Sequence, residues 1–171
     1  MERDEFHQTH WAVKEVDLFR ILYLKNLGER PTPKVFTLSD NPVNPKLVSC
    51  MMPFHESFQP VYDVIKKDLK DSGYKCRRAK DIWVHPHIIS DIIELICTSA
   101  FIVCDLSGKN SNVFCETGIA DTLGKKVILI AQSSEDVPFD LRSIRHVIYE
   151  NSPKGRCKLA KQIIKRINGL T

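Results

Sequence analysis

One segment, Ala100–Gln132, constrains the fold of this 171-residue chain more than any other. It opens with a short apolar run, Ala100–Cys104, and closes with another, Val127–Ala131, and turn residues bound both runs. Continuous apolar runs rich in β-branched residues are typical of buried strands in parallel sheets. A polar loop, Asp105–Asn112, and then a helix lie between the two runs. The segment is therefore predicted to form a strand–loop–helix–strand unit.

The chain from Lys46 onward continues this alternation of strands and helices. Alternating elements imply a parallel sheet with right-handed crossovers. The expected fold is α/β, a flavodoxin-like (Rossmannoid) three-layer sandwich of about five parallel strands in the order 2-1-3-4-5. Besides the unit above, strands are predicted at Leu47–Met52, Tyr74–Arg78 and His146–Tyr149, helices at Glu56–Ser72, Pro86–Thr98 and Pro153–Ile167, and a helical turn near Asp140–Ile144.

The N-terminal part of the chain differs from this pattern. Thr9 can cap a helix over His10–Leu27 that Gly28 ends. A proline-rich connector follows, with an edge strand expected at Lys34–Leu38. We expect residues 1–44 to form an N-terminal helix and connector and residues 45–171 to form the α/β domain.

The helix segment Val16–Leu27 is apolar on more than one face. A lone surface helix does not keep that much apolar area in water, so we expect a homo-oligomer. The alternative is that this helix closes one side of the sheet.

The composition of the chain indicates which kinds of partner and which cellular compartment to expect. The net charge of +4 is mild, and the basic residues are spread too widely to predict binding of duplex nucleic acid. No apolar run approaches the length of a membrane span, and no signal peptide is evident, so a cytoplasmic protein without membrane contact is expected. The six cysteines form no C-x-x-C pair. His85 and His87 lack further ligands at metal spacing, and neither a metal nor a cofactor is predicted.

Glu116 occupies an unusual position on the helix of the Ala100–Gln132 unit. It falls at helical spacing on the apolar stripe of Val113, Ala120 and Leu123, whereas Thr117 and Asp121 are expected toward solvent. A carboxylate on a sheet-facing stripe must be buried or look into a cleft. A capping box needs its glutamate at the third helical position, and neither Ser111 nor Asn112 as the cap gives that spacing. Glu116 is therefore a candidate functional carboxylate.

The expected fold also predicts which other residues line a ligand site. In such sheets, ligands bind outside the carboxyl ends of the strands. Free amides at helix starts favour an anion such as phosphate. The loops at this edge supply Asp105 as a second catalytic candidate and, as substrate-binding candidates, Met52, Pro53, Phe54, Arg78, Asp81, Ser107, Gly108, Asn110, Asn112, Gln132 and Arg142.

Five segments of the chain together resemble a known family. They are VSCMMPF (Val48–Phe54), VYDVIK (Val61–Lys66), AFIVCDLSGKNSNVFCETGIA (Ala100–Ala120), KKVILIAQ (Lys125–Gln132) and VPFDLR (Val137–Arg142). The pattern resembles the nucleoside 2-deoxyribosyltransferase-like, TIR-like nucleotide-binding family, over roughly Lys46–Glu150. Residues 1–44 are not part of the shared pattern, and Pro86-His87 stands where many relatives have Pro-Gly.

The resemblance implies a reaction and a nucleotide substrate. The glutamate of the E-x-G step is the catalytic carboxylate in the related enzymes, and Glu116 matches it. The implied activity is that of a nucleotide N-glycosidase or deoxyribosyltransferase acting on a deoxynucleotide or on NAD. Asp105 could orient the sugar hydroxyls or protonate the base. The alternative is a non-catalytic nucleotide-sensing or assembly domain of TIR-like type, because a fold alone does not settle function.

Overall fold

The five described strands form one parallel sheet in the computed structural model, which describes residues 36–82 and 87–170. The strand order is β2-β1-β3-β4-β5, as expected from the sequence, and every neighbouring pair is parallel. The strands are β1 (Asn44–Met51), β2 (Lys75–Arg77), β3 (Ser99–Asp105), β4 (Lys126–Ala131) and β5 (His146–Ile148).

Four α-helices of the described residues cover the two faces of this sheet. They are α1 (Gln59–Asp71), α2 (Ile88–Thr98), α3 (Ser111–Thr122) and α4 (Pro153–Leu170). One core cluster joins α1 and α4 to one face of the sheet, and a second joins α2 and α3 to the other. The three-layer flavodoxin-like fold is thereby confirmed. The predicted apolar stripe of α4 is buried in the first cluster, through Leu159, Ile163 and Ile167.

Side chains of β3 alternate between the two core clusters, as the pleat of a strand requires. Phe101 and Val103 lie in the cluster with α1 and α4, whereas Ile102 and Cys104 lie in the cluster with α2 and α3. Asp105, the last residue of β3, continues this alternation on the α1/α4 side of the sheet. The alternation of side chains along β3 therefore determines which carboxylates can meet at the carboxyl edge of the sheet.

Two predicted elements differ from the structure near the N-terminal side of the domain. The helix expected over Glu56–Ser72 is a 3-10 turn, Glu56–Phe58, followed by α1, in which Pro60 occupies the first turn. No strand forms over Phe36–Leu38, and the rest of that predicted edge strand lies outside the described residues. Prolines at positions 33 and 42 flank this short run, and proline cannot donate to a ladder.

The predicted helix His10–Leu27 lies outside the described residues, so the N-terminal extension, its association with a second subunit and the domain boundary at residue 44 stay predictions. Within residues 36–82 and 87–170, the structure has no helix that is both long enough and apolar enough to span a bilayer.

Candidate functional site

A cleft of about 330 Å³ opens at the carboxyl edge of the sheet. Three segments form its described walls, namely the residues after β1, the start of α2 and the first turns of α3. Its size suits a small ligand. We call it the Glu116 cleft, and its described lining consists of Met52, Pro53, Phe54, Ile88, Ile89, Ile92, Asn110, Asn112, Val113, Cys115, Glu116 and Ile119.

The start of α3 positions Glu116 in this cleft. Asn110 is the N-cap, one residue before the earlier of the two caps that the sequence indicated. Its Oδ1 accepts hydrogen bonds from the amides of Asn112 (3.0 Å) and Val113 (3.3 Å). The third helical position is therefore Val113, so Glu116 lies beyond any capping box. Helix capping does not explain this carboxylate.

The Glu116 carboxylate is desolvated without a compensating partner. The residue is 8% exposed. Within the described ranges, no side chain or amide donates a hydrogen bond to it and no cation pairs with it. Burial raises its pKa from 4.5 to about 7. A carboxyl group with such a pKa exchanges its proton near neutral pH, which is the range that a catalytic acid, base or nucleophile requires.

Thr117 corrects one expectation about α3. It was expected toward solvent, but it is 2% exposed and its hydroxyl donates a 2.7 Å hydrogen bond to the Val113 carbonyl. The buried face of α3 is thus wider than the single stripe inferred from the sequence, and a threonine can lie on it because the helix backbone satisfies its hydroxyl. Asp121 is exposed, as expected.

Asp105 belongs to a closed hydrogen-bond ring at the ends of β3, β4 and β5. Its Oδ1 accepts from the Ser107 hydroxyl at 2.5 Å and from the Ser107 amide at 3.1 Å, while its Oδ2 accepts from Tyr149 at 2.6 Å. Gln132 closes the ring, because its amide donates to the Ser107 hydroxyl (2.8 Å) and its Nε2 donates to the Tyr149 hydroxyl (3.1 Å). Burial raises the pKa of Asp105 more than the bonds from Ser107 and Tyr149 lower it.

Asp105 and Glu116 belong to different sides of the sheet. Tyr149 lies in the core cluster of α1 and α4, whereas Val113 and Ala120, which flank Glu116 on α3, lie in the cluster of α2 and α3. The two carboxylates that the sequence places at one edge therefore lie on opposite faces of the sheet, and Asp105 is absent from the described lining of the Glu116 cleft.

Arg78 and Asp81 occupy a second network, between α1 and the end of β2. Arg78 donates to Asp81 (3.2 Å) and to Gln59 (2.7 Å), and its guanidinium lies 4.1 Å from the centre of the Tyr62 ring. The Tyr62 hydroxyl donates to Asp81 at 2.5 Å. Burial raises the pKa of Asp81, but the bonds from Tyr62 and Arg78 outweigh it, so the net pKa is lowered. Both residues make structural contacts away from the described cleft lining.

The remaining candidates divide between the cleft and the loops beside it. Gly108 has a positive φ of 70° in the turn before α3, a conformation that glycine adopts without strain. Arg142 is exposed and donates to the Val137 carbonyl at 3.3 Å. Of the residues that the sequence proposed, the described cleft lining contains Met52, Pro53, Phe54, Asn110, Asn112 and Glu116, and does not contain Arg78, Asp81, Asp105, Ser107, Gly108, Gln132 or Arg142.

The described walls of the cleft carry no lysine or arginine. The helix starts beside it differ in capping: Asn110 caps α3 and the His55 ring accepts from the Ser57 amide in the 3-10 turn before α1, whereas His87 makes no side-chain capping bond at the start of α2. A ligand in the cleft therefore meets apolar side chains, two asparagines, a thiol and one carboxylate. Within residues 36–82 and 87–170, no group of three His, Cys, Asp or Glu side chains could hold a metal ion.

Sequence reasoning missed the wall that α2 contributes. Ile88 and Ile89 are 66% and 42% exposed in the first turn of α2, and Ile92 follows one turn later. Adjacent isoleucines in the sequence do not by themselves predict this exposure, because Ile92 and Ile93 of the same helix are both buried. Cys115 and Ile119 carried no signal either.

The solved structures that share this fold include a TIR domain and a deoxyribosyltransferase. The TIR domain of the Toll-related receptor TRR-2 from Hydra magnipapillata superposes with a TM-score of 0.57 and 18% identity, covering 71% of this chain and 97% of that one. A 2-deoxyribosyltransferase from Leishmania mexicana superposes with a TM-score of 0.52 and 15% identity, covering 68% of this chain and 97% of the transferase. At these identities the similarity shows the fold alone.

Sequence comparisons give shorter matches. No protein-family model matches the chain. Spermidine synthase 2 of Hyoscyamus niger is 33% identical over 73 residues, which cover 43% of this chain and 21% of the synthase. Spermine synthase of Arabidopsis thaliana is 30% identical over 79 residues, covering 46% and 20%. The matched stretch spans about a fifth of the length of these curated relatives.

Proposed function

We propose that this domain cleaves the N-glycosidic bond of a nucleoside or nucleotide, with Glu116 as the carboxylate nucleophile. The observation that carries the proposal is the Glu116 carboxylate itself, which is 8% exposed, has a pKa raised to about 7 and lines a cleft of ligand size. A buried carboxylate without a hydrogen-bond donor costs stability, and such a cost is typical of functional sites.

The chemistry requires a fixed carboxylate beside the sugar. Breaking the bond between base and sugar develops positive charge at C1′, which the ionised Glu116 stabilises. Its oxygen then forms a bond to C1′ while the base leaves with the bonding electron pair and takes up a proton. Water, or a second base, attacks C1′ in the next step and releases the carboxylate. Attack by water makes the enzyme a hydrolase, and attack by a second base makes it a transferase.

The cleft favours particular parts of such a substrate. Phe54, which is 47% exposed, and the isoleucines of α2 offer apolar contact to a planar base. Asn112 offers both a donor and an acceptor to sugar hydroxyls or to the base edge. No lysine or arginine of the described walls can pair with a phosphate group of the substrate. Asp105 then acts at a distance, by fixing the loops after β3 and β4.

A second candidate function is a binding module without catalysis. Both carboxylate oxygens of Asp105 already accept hydrogen bonds from Ser107 and Tyr149, so Glu116 is the sole carboxylate of the described cleft lining. A cleft without a second carboxylate for acid catalysis favours the binding module. A module of this kind binds the same ligand and releases no base. The experiment below separates the two functions.

The test is incubation of the full chain with a panel of nucleosides, nucleotides and NAD, followed by mass spectrometry of the released base. We expect release from at least one member, and a loss of at least about a thousandfold in Glu116→Gln, which corresponds to about 4 kcal/mol of barrier. The matched control is Glu135→Gln, an exposed glutamate in the turn after β4. Equal turnover by Glu116→Gln and the wild type would exclude the proposed nucleophile, and binding without release would favour the second candidate.

A further inference from the structure

A second and larger cleft, of about 720 Å³, lies along the β2 edge of the sheet. It shares no described lining residue with the Glu116 cleft. Five cations line it, from three different elements. Lys46 comes from β1, and the others are Lys66 and Lys70 from α1 and Lys75 and Arg77 from β2. We call it the edge cleft.

The edge cleft has a strong excess of positive charge. Asp81 is the single acid among its described lining residues. The resulting excess of four charges equals the formal net charge of the entire 171-residue chain, +4. Five of the 25 lysines and arginines of the chain, which are separate along the sequence, thus meet at one edge of the sheet.

Existing contacts leave most of this charge available. Asp81 already accepts hydrogen bonds from Tyr62 and Arg78, and it lies 3.6 Å from the Lys66 ammonium. Lys70, Lys75 and Arg77 pair with no acid in the portion of the chain that the structure describes. All three are exposed, and the field of their like charges in one concavity attracts anions.

Ordinary structural roles explain some of these cations singly. Lysine and arginine on an edge strand discourage pairing with other chains, and Lys70 is favourable in the last turn of α1. Lys46 of β1 lies over the Tyr74 ring, and Lys66 of α1 lies over the Tyr62 ring and 3.6 Å from Asp81, yet both lysines line the same concavity as the edge strand. Convergence of cations from three elements on one cleft is the arrangement of an anion site.

We propose that the edge cleft binds a compact small molecule that carries two or more linked phosphate groups. Its volume is within the range of small-molecule sites. Lysine binds phosphate as a mobile point charge, so four lysines and one arginine suit an anion of high charge without one fixed geometry. The cations come from three elements that line one open concavity and can therefore contact such an anion together, whereas a membrane surface fits a flat face.

The test is calorimetric titration of the full chain with sodium tripolyphosphate in about 0.1 M salt, where the Debye length is about 10 Å. We expect saturable binding that is tighter than that of sulfate. The double variant Lys75→Glu with Arg77→Glu should lose at least about tenfold in affinity, because two attractive charges become repulsive. The matched control is Lys158→Glu with Lys161→Glu, two exposed lysines of α4 outside this cleft, which changes the net charge equally and should stay within about twofold.

Several results would overturn the proposal. They are binding no tighter than that of sulfate, an equal loss in the α4 control, or tighter binding of a glutamate decapeptide or of phosphatidylserine vesicles than of tripolyphosphate. Circular dichroism checks the fold of each variant. If the charge reversal unfolds the domain, the neutral variant Lys70→Gln replaces it, and an affinity equal to that of the wild type then rejects the site. Base release by the Glu116 cleft is a separate readout, so the two proposals fail independently.

Discussion

The Tyr149 hydroxyl donates a 2.6 Å hydrogen bond to the Asp105 carboxylate and thereby ties the segment after β5 to the end of β3. The two residues are 44 positions apart in the sequence. Both are buried, at 4% and 1% exposure. The loops that follow β3 and β4 are anchored to this pair through Ser107 and Gln132.

We expect Tyr149→Phe to destabilise the domain by about 1–3 kcal/mol, because it leaves a buried carboxylate oxygen of Asp105 without its donor. Urea unfolding measures this change. The matched control is Tyr74→Phe, since the Tyr74 hydroxyl makes no hydrogen bond to any residue of 36–82 or 87–170. A similar loss in both variants would show that removal of a tyrosine hydroxyl in general, and not the loss of the Asp105 bond, determines the effect.

The stability of the domain should depend on the protonation of Glu116. Its pKa in the folded chain, about 7, is above the ordinary 4.5, so the folded state binds this proton more tightly than the unfolded state does. The contribution of Glu116 to the free energy of unfolding therefore falls as the pH rises from 4.5 to 7, by about 3 kcal/mol. The raised pKa of Asp105 acts with the same sign.

Glu116→Gln should therefore be more stable than the wild type at pH 8 and nearly equal to it at pH 4. Urea unfolding at several pH values gives the difference between the two proteins. Glu135→Gln, at an exposed site, should show no such pH-dependent gap. A gap of constant size across the pH range would mean that the burial of the charge is not its cause.

A new negative charge on the wall of the Glu116 cleft should shift the pH dependence of base release. Ile89→Asp places a carboxylate on the rim, where like charge raises the pKa of Glu116 further. The rate of base release should then need a higher pH to reach half of its maximum, with little change in stability, because Ile89 is already 42% exposed. Ile148→Asp is the control, since Ile148 is 46% exposed on β5 and outside the described lining. An unshifted profile in Ile89→Asp would contradict this wall assignment.

The exposed thiol of Cys115 reports on occupancy of the cleft, and the exposed thiol of Cys157 serves as its control. Cys115 and Cys157 are exposed and the other four cysteines are buried, and Cys115 alone of the six lines the described cleft. A substrate or product nucleoside at saturating concentration should slow the alkylation of Cys115 by iodoacetamide and leave Cys157 unaffected. Peptide mass spectrometry measures both rates in one sample. Equal protection of the two thiols, or none, would argue against binding in the Glu116 cleft.

The sequence predicted the sheet well because the determinants of its order are local and repeated. Each apolar run, each following helix and the right-handed crossover rule can be read within a few tens of residues. The position of Glu116 on the buried side of α3 followed from the same periodicity. The width of that buried face did not, because the hydroxyl of Thr117 is satisfied by the backbone of its own helix.

The composition of the candidate site was harder to predict, because it depends on pairs distant in sequence. Nothing in the sequence near Asp105 indicates that the Tyr149 hydroxyl will donate a hydrogen bond to it. The face of the sheet on which the last residue of β3 lies also changes with a one-residue change in register. The convergence of Lys46, Lys66 and Lys75 was hidden for the same reason. Charges that are separate along the chain meet only once β1, β2 and α1 have packed.

The placement of Asp105 and Glu116 on opposite faces of the sheet has a consequence for how this domain can change over evolutionary time. Selection for folding stability limits substitutions in the α1/α4 layer, whereas selection for ligand binding limits substitutions on the cleft-lining side of α2 and α3. Met52 is subject to both pressures, because it packs in the α1/α4 cluster and also lines the cleft. Substitutions at the exposed isoleucines of α2 can therefore change the ligand specificity of the domain, while the hydrogen bonds that anchor the loops after β3 and β4 stay intact.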